Sequence, residues 1–165
     1  MTIQIGQKIP DISLKIATPE GAKTIQTSEL FKDKKSIVFA LPGAFTPLCS
    51  ARHLPEFAAK KAALNAAGID QIICLSVNDS FVMQAWAENL NVVRSIIMLC
   101  DGNSELTNAL GMSIDLSTHG LGIRSKRYAM IVEDNVVTYF EVEETPGTCT
   151  VSSAEHFENF LTKKN

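Results

Sequence analysis

Several things are missing from this chain of 165 residues, and each absence closes off a class of protein. It has no basic excess: 15 Lys and Arg stand against 18 Asp and Glu, a formal net charge of −3. Nucleic-acid binders normally carry a basic excess or a basic stripe, so that class is set aside. It has no long apolar run. The longest uncharged stretch, Ser36 to Ala51, is interrupted by Pro42, Gly43 and Pro47, whereas a membrane-spanning helix needs about 20 apolar residues. It has no C-x-x-C pair, the spacing of zinc knuckles and dithiol redox centres. No two histidines have ligand spacing, so neither a metal nor an organic cofactor is expected. The segment Met1 to Lys8 lacks a basic patch followed by an apolar block, so no secretory leader is expected and the cytoplasm is the default compartment. Thiols there stay mostly reduced. The four cysteines, Cys49, Cys74, Cys100 and Cys149, are therefore read as reactive or buried thiols and not as a disulfide scaffold.

Repeats, linkers and low-complexity tracts are also absent, which leaves one domain over residues 1–165. With 45% hydrophobic and 20% charged residues, the composition is that of an ordinary folded domain. Short alternating pieces at Ile12–Ile16 and Lys23–Gln26 predict an N-terminal hairpin, followed by a helical turn at Thr27–Phe31. Ser36–Leu41 is continuously apolar, as a central strand covered on both faces should be. A loop follows, then a helix beginning at Pro47 and stopped by Gly68, with a kink expected at Pro55.

The pattern then repeats. Strands are predicted at Gln71–Val77 and Ser95–Cys100, and helices at Ser80–Asn91 and Ser104–Met112. Tyr128–Val132 and Val136–Val142 alternate around Asp134-Asn135, a good hairpin turn. An amphipathic helix over Ser152–Lys163 closes the chain. This order predicts an α/β thioredoxin-like fold: a mixed central sheet flanked by helices, with an N-terminal hairpin extension.

Chemistry is expected where the first central strand gives way to its helix, because ligands of open α/β sheets bind beyond the carboxyl ends of the strands. Cys49 falls there, in the first helical turn, where free N–H groups and the positive end of the helix dipole favour a thiolate. That helix end supplies about 0.3–1 kcal/mol, and about 2 at most. An unassisted cysteine is only about 3% thiolate at pH 7, so a cation must help. Arg52 lies one turn along, and Arg124, Lys126 and Arg127 lead into the strand at Tyr128. Arg127 is the best placed, because it adjoins the strand and can be held by the sheet. Thr46 stands three residues before Cys49, where a dithiol enzyme carries its other cysteine. A hydroxyl there can donate to and accept from a small bound oxygen species, but it cannot close a disulfide. The pattern suits a thiolate attacking a small electrophile and argues against dithiol exchange.

The motif Pro42-x-x-x-Thr46-x-x-Cys49 resembles the active site of peroxiredoxins. The longer run Pro42-Gly43-Ala44-Phe45-Thr46-Pro47-x-Cys49-Ser50-x-x-His53-Leu54-Pro55 resembles the peroxiredoxin 5 subfamily, which includes the plant type II proteins. Cys74-Leu75-Ser76-Val77-Asn78-Asp79, Phe81-Val82, Trp86, Gly120-Leu121-Gly122-x-Arg124-Ser125-x-Arg127-Tyr128 and Val151-Ser152-Ser153-Ala154 extend the match over nearly the whole chain. The resemblance implies a thiol peroxidase for hydrogen peroxide and small alkyl hydroperoxides. In it Cys49 is the peroxidatic cysteine and becomes a sulfenic acid, Thr46 and Arg127 bind the peroxide oxygens, and Pro42 shields the pocket. Leu48 and Glu56 replace glycines common in the subfamily. A homodimer assembled near the active-site loops is implied too, with Phe45 and Phe81 as contributors.

Three routes for restoring the sulfenic acid stay open. Cys149, in the flexible-looking stretch Thr145–Thr148, resembles the C-terminal resolving cysteine of animal members and looks the easier to move. Cys74 has the spacing of the plant type II pattern but lies mid-strand, and a disulfide needs Cα atoms within about 7 Å. An external thiol is the third route: glutathione, glutaredoxin or thioredoxin. A redox-sensing interaction protein is the alternative function, since it needs the same activated thiolate. Cys100 is read as a buried hydrophobe. His53 is read as a structural hydrogen-bonder, Trp86 and Met83 as core or interface residues, and His119 and His156 as surface residues.

Overall fold

The computed structural model describes residues 1–163; the last two residues of the predicted domain lie outside the described residues. Strands β1 (Ser13–Thr18) and β2 (Gly21–Gln26) form the N-terminal hairpin, and α1 (Thr27–Leu30) follows. The central units are β3 (Lys35–Leu41), β4 (Gln71–Ser76), α4 (Ser80–Asn89), β5 (Ile97–Cys100) and α5 (Glu105–Ala109). A π-helical turn at Cys49–His53 and helices α2 (Leu54–Ala59) and α3 (Lys61–Ala66) connect β3 to β4. Beyond α5 come β6 (Ser113–Asp115), β7 (Ile123–Ser125), β8 (Tyr128–Glu133), β9 (Val136–Val142) and α6 (Ala154–Lys163).

Seven strands form one mixed sheet in the order β2-β1-β5-β4-β3-β8-β9. Strands β3, β4 and β5 run parallel, while β8 lies antiparallel to β3 and β1 antiparallel to β5. This is the thioredoxin-like arrangement expected, and the N-terminal hairpin extends the sheet beside β5. Strands β6 and β7 form a separate small ribbon. They escape a reading based on periodicity because three residues are too few to show a period.

Alternation along β3 sorts its buried side chains to the two faces of the sheet. Ile37, Phe39 and Leu41 join Phe57, Trp86 and Phe157 in one core, and Val38 and Ala40 join Tyr128, Met130 and Leu106 in the other. Burial on both faces is why β3 and β4 read as continuous apolar runs.

The helix after β3 departs from expectation. Instead of one α-helix kinked at Pro55, the chain opens on a π turn, and Pro55 sits in the first turn of α2. Pro55 has no N–H to give Ala51, the bond an α-helix would require there. The wider turn removes that demand, since the Leu54 amide bonds to the Cys49 carbonyl. Lys60 then separates α2 from α3, and Gly68, at φ +101°, ends the segment as predicted.

Candidate functional site

The loop between β3 and the π turn is tied down before it reaches Cys49. The Ala44 amide donates to Asn78 Oδ1 at 3.0 Å, and Ser76 Oγ donates to the same oxygen at 2.6 Å, anchoring the loop to the end of β4. Thr46 Oγ1 donates to the Gly43 carbonyl at 2.6 Å, and the Ser50 amide bonds back to the Thr46 carbonyl at 3.0 Å. With its proton committed to Gly43, the Thr46 hydroxyl presents lone pairs to whatever enters beside it. A Cβ at Gly43 would meet Arg124 Nη1 at 2.6 Å and displace the end of that side chain. Arg124 also donates to the Pro42 and Leu121 carbonyls, at 3.3 and 2.9 Å.

Cys49 is wholly buried at the mouth of the π turn. Arg127, only 3% exposed, reaches it from the start of β8. Its guanidinium makes three hydrogen bonds in three directions: Nη2 to Cys49 Sγ at 3.1 Å, Nη1 to His53 Nδ1 at 2.8 Å, and Nε to the Pro146 carbonyl at 3.0 Å. Buried charges are normally paired, yet among the described residues the ion pairs are Lys35–Glu133 and Lys60–Glu158, neither involving Arg127. Of its three partners, only the sulfur can carry negative charge. The guanidinium thus sets its positive charge directly against the Cys49 sulfur.

His53 orients this clamp. Burial, with the Arg127 charge second, pushes its pKa down to about 3, so the ring is neutral. Its Nε2 lies 3.0 Å from the Ser152 carbonyl, an acceptor, which places the proton there. Nδ1 is then free to accept from Arg127. The ring also lies 5.0 Å from that of Phe39, itself stacked on Phe57 at 4.2 Å. The backbone bond matches the structural role expected of His53; the bond to Arg127 was not foreseen.

Two carbonyls of one loop, those of Pro146 and Ser152, thus hold the clamp, and Glu143 holds the loop. Its nearly buried carboxylate accepts from the amides of Thr150 (2.6 Å) and Ser152 (2.9 Å). The hydroxyls of Ser152 (2.8 Å), Thr148 (3.1 Å) and Thr150 (3.1 Å) donate to it as well. Burial works against the charge, but these hydrogen bonds prevail and hold the carboxyl below the ordinary Glu range. Glu143 escaped the sequence reading, although five hydroxyl residues within ten positions after it are a signal of excess donors.

The other cysteines are all buried thiols. Cys74 sits in β4 opposite Phe39 of β3, and burial pushes its thiol well up. Burial likewise pushes Cys100 up to about 12. Cys149 corrects an expectation. Its stretch reads as flexible, but the Glu143 bonds on both sides of it pin the loop, leave Cys149 2% exposed, and burial raises its thiol. Trp86 and Met83 lie in the core as expected, with Trp86 Nε1 donating to Ser50 Oγ at 2.9 Å. His119 is exposed; His156 is partly covered and bonds to Tyr139 Oη.

An open pocket over the clamp is lined by Pro42, Thr46, Leu48, Leu121, Arg127 and Pro146, among others. The structure thus brings together the four residues singled out at this site, Pro42, Thr46, Cys49 and Arg127, and places Leu48 at its rim. Among the described residues no cluster of His, Cys, Asp and Glu could hold a metal ion, and no helix is long and apolar enough to cross a membrane.

Comparison with known proteins places this geometry. The Redoxin family profile matches residues 4–157. The chain is 48% identical over 159 residues to the rice protein Peroxiredoxin-2E-2, chloroplastic, covering 93% of this chain and 70% of that one. It is 38% identical to the Hybrid peroxiredoxin hyPrx5 of Haemophilus influenzae, covering 98% of this chain and 67% of the other. Among solved structures, reduced Prx3 of Vibrio vulnificus in complex with hydrogen peroxide superposes with a TM-score of 0.91 at 44% identity, covering 97% of this chain and 99% of that one. A guanidinium-held cysteine at the end of a thioredoxin-like strand, within a redoxin sequence, makes this chain a peroxiredoxin of the peroxiredoxin 5 subfamily, a thiol peroxidase.

Proposed function

We propose that Cys49 is the peroxidatic cysteine, reducing hydrogen peroxide and small alkyl hydroperoxides. The Cys49 thiolate attacks the nearer peroxide oxygen, and the O–O bond breaks. Sulfur gives up two electrons and becomes a sulfenic acid. The other oxygen leaves as hydroxide or alkoxide and takes a proton to become water or an alcohol. Arg127 donates to the oxygens on which charge develops, where preorganised donors act most strongly, the Thr46 hydroxyl accepts from the peroxide O–H, and Pro42 keeps bulk water from the sulfur. The observation that carries this reading is the 3.1 Å bond from Arg127 Nη2 to Cys49 Sγ.

The sulfenic acid is recycled by an external thiol, glutathione with glutaredoxin, or thioredoxin. The thiol sulfur displaces water from Cys49 to give a mixed disulfide, and a second thiol releases Cys49. Supporting this route is the burial of both internal candidates, Cys74 within β4 and Cys149 inside a pinned loop. A reducing compartment, the cytoplasm, keeps such donors reduced. The chain acts as a homodimer through its active-site loops, a reading supported by two exposed aromatics, Phe45 at 53% and Phe81 at 86%; sedimentation at micromolar concentration as a strict monomer overturns it.

Peroxide consumption with each donor, combined with mass mapping of oxidised Cys49, tests the assignment. Turnover with a glutathione or thioredoxin system and a Cys49 adduct to the donor thiol is the expected result. Oxidation of Cys49 without recycling by any donor would favour a redox sensor instead.

A further inference from the structure

The site as described has a contact layer of Cys49, Thr46, Pro42 and Arg127, with His53 behind it. Behind His53 stands one further group that touches no reacting atom. Arg127 can aim Nη2 at the sulfur only while its other two donors have fixed acceptors, and these are the Pro146 carbonyl and His53 Nδ1. His53 in turn keeps its tautomer through the Ser152 carbonyl. Pro146 and Ser152 belong to a loop with no helix or strand between β9 and α6, whose own backbone supplies two turn bonds, Thr148 N–H to the Thr145 carbonyl and Ser153 N–H to the Thr150 carbonyl, both 3.3 Å. Five further bonds converge on the Glu143 carboxylate, from Thr148, Thr150 and Ser152, and tie the loop to the end of β9. Glu143 is joined to Arg127 directly as well, its amide donating to the Arg127 carbonyl at 3.0 Å.

We propose that Glu143 is a positioning residue of the peroxidase site. It folds the 145–153 loop so that its carbonyls aim Arg127 at Cys49, and the same fold keeps Cys149 enclosed. The inference rests on the peroxidase reading for its purpose, but its mechanics stand on the hydrogen bonds alone. One carboxylate thereby couples two properties that otherwise have no reason to vary together: the nucleophilicity of Cys49 and the accessibility of Cys149. Loss of Glu143 loosens the loop, frees Arg127 from Pro146, and exposes the thiol of Cys149.

The test compares Glu143→Ala and Glu143→Gln with the wild-type protein on two readouts. One is the alkylation rate of Cys49 by iodoacetamide, and the other is the labelling rate of Cys149 by maleimide, each resolved by mass mapping. Glutamine keeps an oxygen for the Thr150 and Ser152 amides, and its NH₂ can face the Thr148 and Thr150 hydroxyls, which then accept. Alanine keeps neither. Glu143→Ala is expected to slow Cys49 at least about tenfold and to speed Cys149 labelling by a similar factor, with Glu143→Gln within about threefold of wild type on both. Should Glu143→Ala not fold, Thr148→Val with Thr150→Val removes two donors outside the clamp and is expected to shift both rates in the same directions, by less. Glu143→Ala, or the threonine pair standing in for it, leaving Cys49 at its wild-type rate overturns the proposal, whether or not Cys149 opens. Failure of the peroxidase reading looks different: wild-type Cys49 alkylates rapidly but is not oxidised by peroxide.

Discussion

Arg127 lies between two segments, residues 42–53 and 143–153, and each carries a buried cysteine. Cys49 is wholly enclosed and Cys149 only 2% exposed, so burial does not distinguish them. What differs is the direction of the hydrogen-bond donors. In the first segment a guanidinium donates to the sulfur. In the second, the donors turn to a carboxylate, the Pro146 carbonyl turns to the guanidinium and the Ser152 carbonyl to His53, while the thiol itself is pushed up by burial. The same guanidinium therefore bonds one sulfur directly and takes the other's loop as a support. Where donors point, and not burial or proximity to the cation, separates the two thiols.

Replacing each cysteine by serine tests that contrast most strongly. Cys49→Ser is expected to abolish peroxide turnover, while Cys149→Ser keeps most of it in a glutathione–glutaredoxin assay. Equal losses from the two replacements would erase the distinction. Next in size, Arg127→Ala should lower the rate of Cys49 oxidation by peroxide by about 10²–10³-fold, the usual cost of losing one donor to developing charge. Thr46→Val, which removes an acceptor for the peroxide O–H, should slow the same stopped-flow oxidation by less than Arg127→Ala does.

The clamp also leaves a signature in acid. His53 has its pKa lowered to about 3 from an ordinary value near 6.5, so below pH 6.5 the unfolded chain binds a proton that the folded chain refuses. Stability therefore falls as pH drops from about 6.5 toward 3, by at most about 1.4 kcal/mol per pH unit. Urea unfolding at pH 7 and pH 5 should show this slope, and His53→Gln should flatten it. Glu143 should give the smallest effect, with its own sign. Its folded pKa is depressed, so its contribution is complete above the ordinary Glu value of 4.5 and is lost as pH falls through the lower folded value. Maleimide labelling of Cys149, taken relative to that of the unfolded chain at the same pH, should accordingly stay flat from pH 7 to 5 and rise only in stronger acid.

Much of this was legible in the chain itself. The apolar runs at β3 and β4, the Asp134-Asn135 turn and the Thr46–Cys49 spacing each rest on local rules, and those rules held. Arg127 was legible because it adjoins a strand, which fixes where its Cα must be. The contacts of His53 and Glu143 were not. His53 meets Ser152 across 99 positions and Arg127 across 74, and no periodicity carries such information. The mobility expected of Cys149 failed for a related reason. Thr145-Pro146-Gly147-Thr148 has the composition of a free loop, and only the burial of Glu143 shows that its hydroxyls are engaged. The π turn was half legible: Pro55 forbids a regular helix there but does not say which irregularity replaces it.

Phe45 has a φ of +63°, a left-handed setting unusual for a bulky side chain. Such a setting costs roughly 1 kcal/mol, and here the flanking tethers impose it, the Ala44 amide on Asn78 and the Thr46 amide on the Gly43 carbonyl 3.3 Å away. A loop left to its own preferences would relax elsewhere and would have to be recruited each time a peroxide arrived. Held this way, the loop takes its shape from the fold itself. The conformational expense is met once, when the chain folds, and none of it recurs with each molecule consumed.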